Sequence, residues 1–507
     1  MQSFFAALPI LIVLGVMILL HWSGPRAGLA GWLSGIIIAA LAFGLTPEVF
    51  WISQLKGLFL SLTPIMLVWP ALFLYKLVDQ IGGIRAVALA LEGLIPDRGL
   101  LLVVLAWAFS GMLEGLAGFG LPIAIVAPLL IGLEVEPLVA ITAVAIGHCW
   151  AVTFGGMGAI FQTLVAVVKL DGLVIAPLSA LLLGIACLGC GLSTALILKQ
   201  GRLWPKILLL ALVIGSTQYG MAVVGLSAPA AFTAGLGGVL ASILICKVRG
   251  VSGQVSPAPE APARPALAGA LLSYGAVVTL LILFNLLQPL NQVLKQITWQ
   301  AGFPTTITLS GFTTPTTTQV FRYLLNPGPA LLLVALSCCW LFPRVININP
   351  DTGGWRKAWR ATLQAAVPAT IGVELMICLA SLMEYSGMTR LLAETMAYGM
   401  GAFFPIVSPL VGILGAFATG SNNNSNVLFA PLQQNVALLL KINPLLLIAT
   451  QTTGGALGSM ISPAKIIIGA STVNLKGHSG DILKRTLPYA LALGLGVGLI
   501  AFVIARF

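Results

Sequence analysis

Three stretches of this sequence gather polar side chains where their neighbours are apolar. The first, M-L-E-G-L-A-G-F-G-L-P, sets Glu114 beside Gly115, Gly118 and Gly120 in the middle of the apolar stretch 99–133. A carboxyl at membrane depth is costly unless it is protonated, paired or watered. It reads either as a proton carrier or substrate-site acid, or as a cap that holds the backbone amides of a tip; the two roles are compatible. The second stretch, T-G-S-N-N-N-S-N-V-L-F from Thr419 to Phe429, concentrates Ser421, Asn422, Asn423, Asn424, Ser425 and Asn426. Their hydroxyls and amides, with the unpaired backbone N–H groups of a half-helix expected to begin near Val427, form an electropositive end suited to a small carboxylate. The bland alternative is a loop in water.

The third stretch, A-T-Q-T-T-G-G-A-L-G-S-M-I-S-P-A-K, carries Gln451, Thr452, Thr453, Ser462 and Lys465, with Gly454, Gly455 and Pro463 expected to interrupt the backbone ladder. Lys465 is the one basic residue that the pattern does not assign to a membrane edge. It can neutralise an anionic substrate, pair with an acid such as Glu114, or snorkel to an edge. A matching run, G-H-C-W-A-V-T-F-G-G-M-G, places His148 and Trp150 before Gly155 and Gly156. His148 reads as a packed neutral polar residue or as a proton relay. Glu374 is a further acid at membrane depth, read as a structural partner.

The elements that must position these residues follow from composition. A chain of 507 residues that is 59% hydrophobic and 8% charged cannot present a water-compatible surface as a globule. Its apolar runs exceed the roughly 20 residues that a spanning helix needs. The expected fold class is an all-α polytopic membrane protein, with about twelve crossings at 4–20, 27–45, 57–76, 137–169, 172–198, 205–224, 228–246, 269–289, 328–343, 361–383, 444–475 and 486–505. The stretches 99–133 and 402–440, each split by small and polar residues, are expected to be re-entrant hairpins. Lys and Arg concentrate on one set of loops, which places the amino terminus outside and leaves few basic residues, Lys56 and Lys169 among them, on the outer segments.

The halves repeat one another. Asp79, Gly82 and Arg85 recur as Glu384, Gly387 and Arg390, followed in each half by a split hairpin, a helix-opening Pro137 or Pro444, and a Gly-Gly pair. An odd number of crossings separates the units, so they are expected to be inverted, as in secondary transporters. The division expected is 1–56 for amino-terminal helices, 57–198 for the first repeat, 199–360 for connecting helices with a cytoplasmic linker at 247–268, and 361–507 for the second repeat.

Several classes are excluded or disfavoured. The basic residues form no stripe for nucleic acid. No phosphate loop or soluble ATPase domain is present, which disfavours a primary pump. No metal or cofactor is called for, and Cys187-x-x-Cys190 reads as helix packing. The reading is of a transporter and not an enzyme, whose partners are a small organic anion, protons with Na⁺ as the alternative, and the lipid bilayer. A homodimer is one option for its assembly. A non-transporting sensor or assembly subunit with the same fold is the reading from another class.

At these motifs the sequence resembles the lactate permease family, which includes glycolate permeases. The resemblance rests on the runs Glu114 to Ile125, Thr419 to Gln433 and Gln451 to Lys465. It implies proton-coupled symport of small 2-hydroxymonocarboxylates across the bacterial inner membrane by an elevator-like movement. Substrate binding would then fall to Gly118, Gly120, the polar residues from Ser421 to Asn426, Gln451, Thr452, Thr453, Ser462 and Lys465, and proton coupling to Glu114 and His148. One segment departs from the family pattern: His148 to Gly155 replaces an Asn-[ST]-Ala-Pro-Val-Ala-Phe-Gly run, and the bulky Trp150 and titratable His148 are expected to shrink, reshape or re-couple the pocket.

Overall fold

Apolar runs of this length must satisfy their backbone polar groups internally, and the α-helix does so within one segment. The computed structural model describes residues 2–20, 22–118, 120–248, 263–345, 354–473, 475 and 478–506; most of the expected linker at 247–268 lies outside the described residues. The first part of the chain forms α1 Gln2–Leu19, α2 Gly24–Ala42, α3 Pro47–Gln80, α4 Gly83–Leu94, α5 Arg98–Val104, α6 Ser110–Leu116, α7 Leu121–Gly132, α8 Pro137–Gly147, α9 Gly155–Val168, α10 Gly172–Ile197, α11 Trp204–Val223 and α12 Ala230–Val248. The second forms α13 Arg264–Leu286, α14 Gln288–Gln296, α15 Pro327–Val345, α16 Gly354–Tyr385, α17 Met388–Met400, α18 Phe404–Thr419, α19 Asn422–Leu440, α20 Pro444–Gly458, α21 Pro463–Thr472 and α22 Ser479–Ile504. Among the described residues, 11 helices are long and apolar enough to cross a membrane, or up to 12 if the bent pair at α8–α9 is one span.

Local chemistry sets the helix starts. Thr46, Asp97, Asp171, Ser421 and Asn443 each accept a backbone N–H of the helix they precede, and Pro47, Pro137, Pro444 and Pro463 occupy first helical positions, where no N–H is needed. The long helices α3 and α16 pack antiparallel. Along their seam Ser61 Oγ donates to Glu374 Oε2 at 2.6 Å, and Trp69 Nε1 donates to Thr370 Oγ1 at 2.9 Å. Glu374 thus has a structural partner.

Both split stretches are helical hairpins. A turn Leu105–Phe109 of π-type joins α5 to α6, and Ala117–Gly120 separates α6 from α7. With 12 residues α7 rises roughly 18 Å, short of a hydrocarbon core, whereas the arm before it, Arg98–Leu116, is one of the 11 helices long enough to cross. In the second hairpin only Gly420 and Ser421 separate α18 from α19.

Two expectations about the backbone are corrected. First, α19 begins at Asn422 and not near Val427, because Ser421 takes an extended conformation and its hydroxyl accepts the Asn423 N–H at 3.2 Å. Asn422 to Asn426 are therefore helical. Second, Gly454 and Gly455 do not interrupt α20. They are helical, and their missing side chains allow close packing: a Cβ at Gly454 would lie 2.0 Å from the Pro409 carbonyl oxygen, and one at Gly455 would lie 2.0 Å from Asn422 Oδ1. The break comes later, where Ser462 turns extended before Pro463. In the first half the glycines do break the helix. Gly156, Met157 and Gly158 all take positive φ, and α8 and α9 meet at 51°.

A departure from the all-α expectation lies between α14 and α15. There β1 Trp299–Phe303 pairs with β4 Thr317–Phe321, and β2 Thr306–Ile307 with β3 Thr313–Thr314. The run is rich in Thr and alternates, which suits a strand. Its tip docks on the end of α2, where Ser310 Oγ donates to the Phe43 carbonyl at 2.8 Å. Beside it lies an unexpected ion cluster. Lys56, read as a membrane-edge residue, is fully buried in α3, donates to Tyr385 OH at 3.1 Å and lies 3.9 Å from Glu384, which also pairs with Lys169 at the end of α9. Lys465 is therefore not alone among buried lysines.

Candidate functional site

A cavity of about 400 Å³ opens between the hairpin tips and the α3–α16 pair. Of the residues singled out from sequence, Glu114, Gly118, Gly155, Gly156, Ser421, Asn422, Asn423, Asn424 and Lys465 line it. The facing wall was not foreseen. It comes from Ser23 to Pro25 at the start of α2, Pro64 to Val68 in α3, and Ala365 to Val373 in α16. A proline within each long apolar helix, Pro64 and Pro368, was the available signal, since such a residue leaves a backbone carbonyl without its usual helical partner.

The two buried charges of the wall meet. Lys465 Nζ lies 3.2 Å from Glu114 Oε1 and 3.1 Å from His148 Nε2. His148 Nδ1 is 2.7 Å from the Val144 carbonyl, so the tautomer its partners select donates through Nδ1 and accepts from Lys465 at Nε2. Glu114 and His148 are 1% and 0% exposed and Lys465 is 7% exposed, so three elements remote in sequence converge on one buried cluster. Glu114 Oε2 has no hydrogen-bond partner among the described residues. Gly120, left-handed at the start of α7, stands off the cavity wall against Lys465 and Ile468.

Behind the wall the remaining candidates form a hydrogen-bonded layer. Asn422 Nδ2 donates to Thr153 Oγ1 at 3.2 Å and to the Thr452 carbonyl at 3.3 Å, and Asn426 Nδ2 donates to Thr452 Oγ1 at 3.0 Å. Thr153 Oγ1 itself donates to the Thr452 carbonyl at 3.1 Å. Gln451 Nε2 donates to Ser425 Oγ at 3.0 Å, and Ser425 Oγ donates to the Gly412 carbonyl at 2.9 Å. Ser462 Oγ donates to the Gly420 carbonyl at 3.0 Å and ties the second break to the second tip. Asn422 Oδ1, Asn426 Oδ1 and Thr453 Oγ1 are buried without a partner among the described residues. Ser425, Asn426, Gln451, Thr452, Thr453, Ser462 and His148 thus stand one layer back from the cavity. Thr153, which bridges the halves, was missed as a site residue because one threonine in an apolar run carries no signal of its own.

Trp150 is not among the residues that line the cavity. Its indole is fully buried and packs on Gly111 of α6, away from the wall.

The family model described as L-lactate permease matches residues 2–507. The chain belongs to the L-lactate permease family. Its similarity extends over nearly the full length of curated relatives. The L-lactate permease of Bacillus subtilis (strain 168) is 26% identical over 98% of this chain and 94% of its own, and that of Halalkalibacterium halodurans is 28% identical over 97% and 94%. Glycolate permease GlcA of Escherichia coli (strain K12) is 25% identical over 99% and 95%. Among solved structures, that of MtrF from Neisseria gonorrhoeae, described as one of a class of antimetabolite efflux pumps, aligns with a TM-score of 0.51 over 95% of both chains at 14% identity, a likeness of fold alone. Membership in this permease family, with 11 helices among the described residues long and apolar enough to cross a membrane, makes the chain a multi-pass plasma-membrane transporter.

Proposed function

We propose that this permease carries small 2-hydroxymonocarboxylates such as lactate and glycolate by proton symport. The observation that carries the reading is a single cavity walled by a buried carboxyl, a buried ammonium and the polar first turn of a helix. The ammonium and the amino-terminal turn of α19 suit a carboxylate, and Glu114 suits a proton. The names of the relatives support the substrate class. A cavity of about 400 Å³ accommodates a three-carbon acid with some of its water.

The movement proposed is alternating access. Residues 57–198 and 361–507 are read as inverted repeats whose hairpins enter the membrane from opposite sides and move, elevator-like, against the remaining helices. The parallel order of broken elements in the two halves supports it: a long helix, a short amphipathic helix, a hairpin, and a helix opened by proline and then broken.

Uptake of labelled lactate and glycolate into proteoliposomes tests the reading. An imposed pH gradient, acid outside, is expected to drive accumulation, and Glu114→Gln to abolish that drive. Equal accumulation without the gradient, or intact coupling in the variant, overturns it. The unpartnered oxygens of Asn422, Asn426 and Thr453 favour a second reading, coupling to Na⁺, a hard cation held through oxygen ligands. Replacement of sodium by choline at fixed pH separates the two: a loss of uptake selects sodium.

A further inference from the structure

We infer that Lys465 is handed from Glu114 to the substrate carboxylate, so that one proton and one anion cross together without net charge. This rests on the proton-symport reading above and specifies how the site enforces it.

Charge balance at the buried Glu114–Lys465 pair sets which forms can cross. With the cavity empty, the Glu114 carboxylate and the Lys465 ammonium neutralise one another at 3.2 Å. When Glu114 takes a proton from water, Lys465 loses its counter-charge and the site holds +1. A carboxylate that enters alone leaves the site at −1. Proton and anion together restore zero, with the substrate carboxylate on Lys465 and a neutral Glu114 beside it. Moving a net charge through the low-dielectric interior is costly. The neutral empty form and the neutral fully loaded form are therefore the two that cross, and half-loaded forms stay in place.

Three features of the site suit the exchange. Glu114 and Lys465 both reach the cavity wall, so either can meet a ligand. Glu114 Oε2 is buried without a hydrogen-bond partner among the described residues, which leaves a place for the proton on a carboxyl that must become neutral. His148 holds Lys465 from behind with an uncharged acceptor, its other nitrogen tied to Val144, so the ammonium stays placed as its anionic partner changes. His148 is thus a positioning residue. The titratable groups that face Glu114 are Lys465 from α21, His148 at the end of α8 and the Cys149 thiol next to it. The neighbouring α7 carries no titratable residue, Lys169 just past the last residue of α9 is paired with Glu384, and those of α12, Cys246 and Lys247, lie in its last turn, far from the contact of Gly115 with Phe232.

The test uses the full-length protein in proteoliposomes, with a potassium diffusion potential imposed by valinomycin at fixed pH gradient. Wild-type lactate uptake is expected to follow the pH gradient and ignore the potential. Glu114→Gln is expected to retain lactate counterflow, which needs only the loaded form, while net uptake falls by about tenfold or more. Lys465→Met is expected to raise the lactate KM by about thirtyfold or more, as for truncation of a buried charge pair. His148→Ala is expected to raise KM and displace the pH profile of uptake, which loss of packing alone would not do. Wild-type uptake that depends on the potential overturns the inference without any variant, and so does an unchanged KM in Lys465→Met. Wild-type uptake that ignores the pH gradient overturns the underlying symport reading instead.

Discussion

At the scale of single residues, the position of Trp150 illustrates how identity and role separate. A Cβ on Gly111 would fall 2.3 Å from indole Cζ2, so the ring fills the groove that Gly111 leaves open on α6. Trp150→Phe is accordingly expected to leave the substrate KM unchanged. Gly111→Ala is expected to destabilise the protein by about 1–3 kcal/mol through overpacking, read as a lower melting temperature of the purified permease. Glu114 and Lys465 could each be suspected from sequence as costly at membrane depth. Their pairing was one of three options the sequence left open for Lys465, and with 351 positions between them only the fold selects it. His148 was legible as a packed neutral residue or a proton relay, but not as the third member of this cluster.

At the scale of elements, caps and breaks were the most legible features, because they follow from local backbone chemistry. Asp97 shows this and gives a pH dependence. Burial opposes its ionisation, but hydrogen bonds from the Lys206 ammonium and from the Leu100 N–H that it caps outweigh that cost and hold its carboxyl below the ordinary value of 3.8. For a lowered acid the stabilisation is fully present above the ordinary value and is lost as pH falls through the lower folded value. Asp97→Asn is expected to keep most of the cap but lose the tie to Lys206, and its thermal stability to vary less with pH below 3.8 than that of the wild type. Gly454 and Gly455 mark the limit of such reading. A Gly-Gly pair serves equally to break a helix or to let another chain approach, and the choice depends on whether Pro409 and Asn422 stand against it. Gly156 in the first half, at positive φ, makes the break, and Gly454 in the second makes the contact.

At the scale of the whole molecule, the ion cluster of Lys56, Lys169 and Glu384 joins the end of the broken helix α9 to the long pair α3–α16. If the broken helices move against that pair, this contact must open in each cycle. A cysteine pair at Lys169 and Glu384, joined by a short bifunctional thiol reagent, is expected to stop lactate counterflow, with recovery on cleavage of the linker. Undiminished counterflow in the fully linked protein would place both ends in one rigid unit.

The amino-acid sequence by itself determined the helical membrane class, the two interrupted hairpins and the parallel order of elements in the halves. Each of these follows from local quantities: the length of apolar runs, the conformations that glycine and proline permit, and the cost of polar groups in lipid. The tertiary structure alone decided that the α2, α3 and α16 segments close the cavity, that Thr153 bridges to Asn422 and Thr452, and that the polar run at Ser421 to Asn426 divides into a wall and a layer behind it. Those depend on which faces of remote helices meet, and a sequence almost uniformly apolar around each helix does not mark its faces. The Glu114–Lys465–His148 cluster belongs to both: its members were marked by their cost, and their meeting was decided by the packing of α6, α8 and α21.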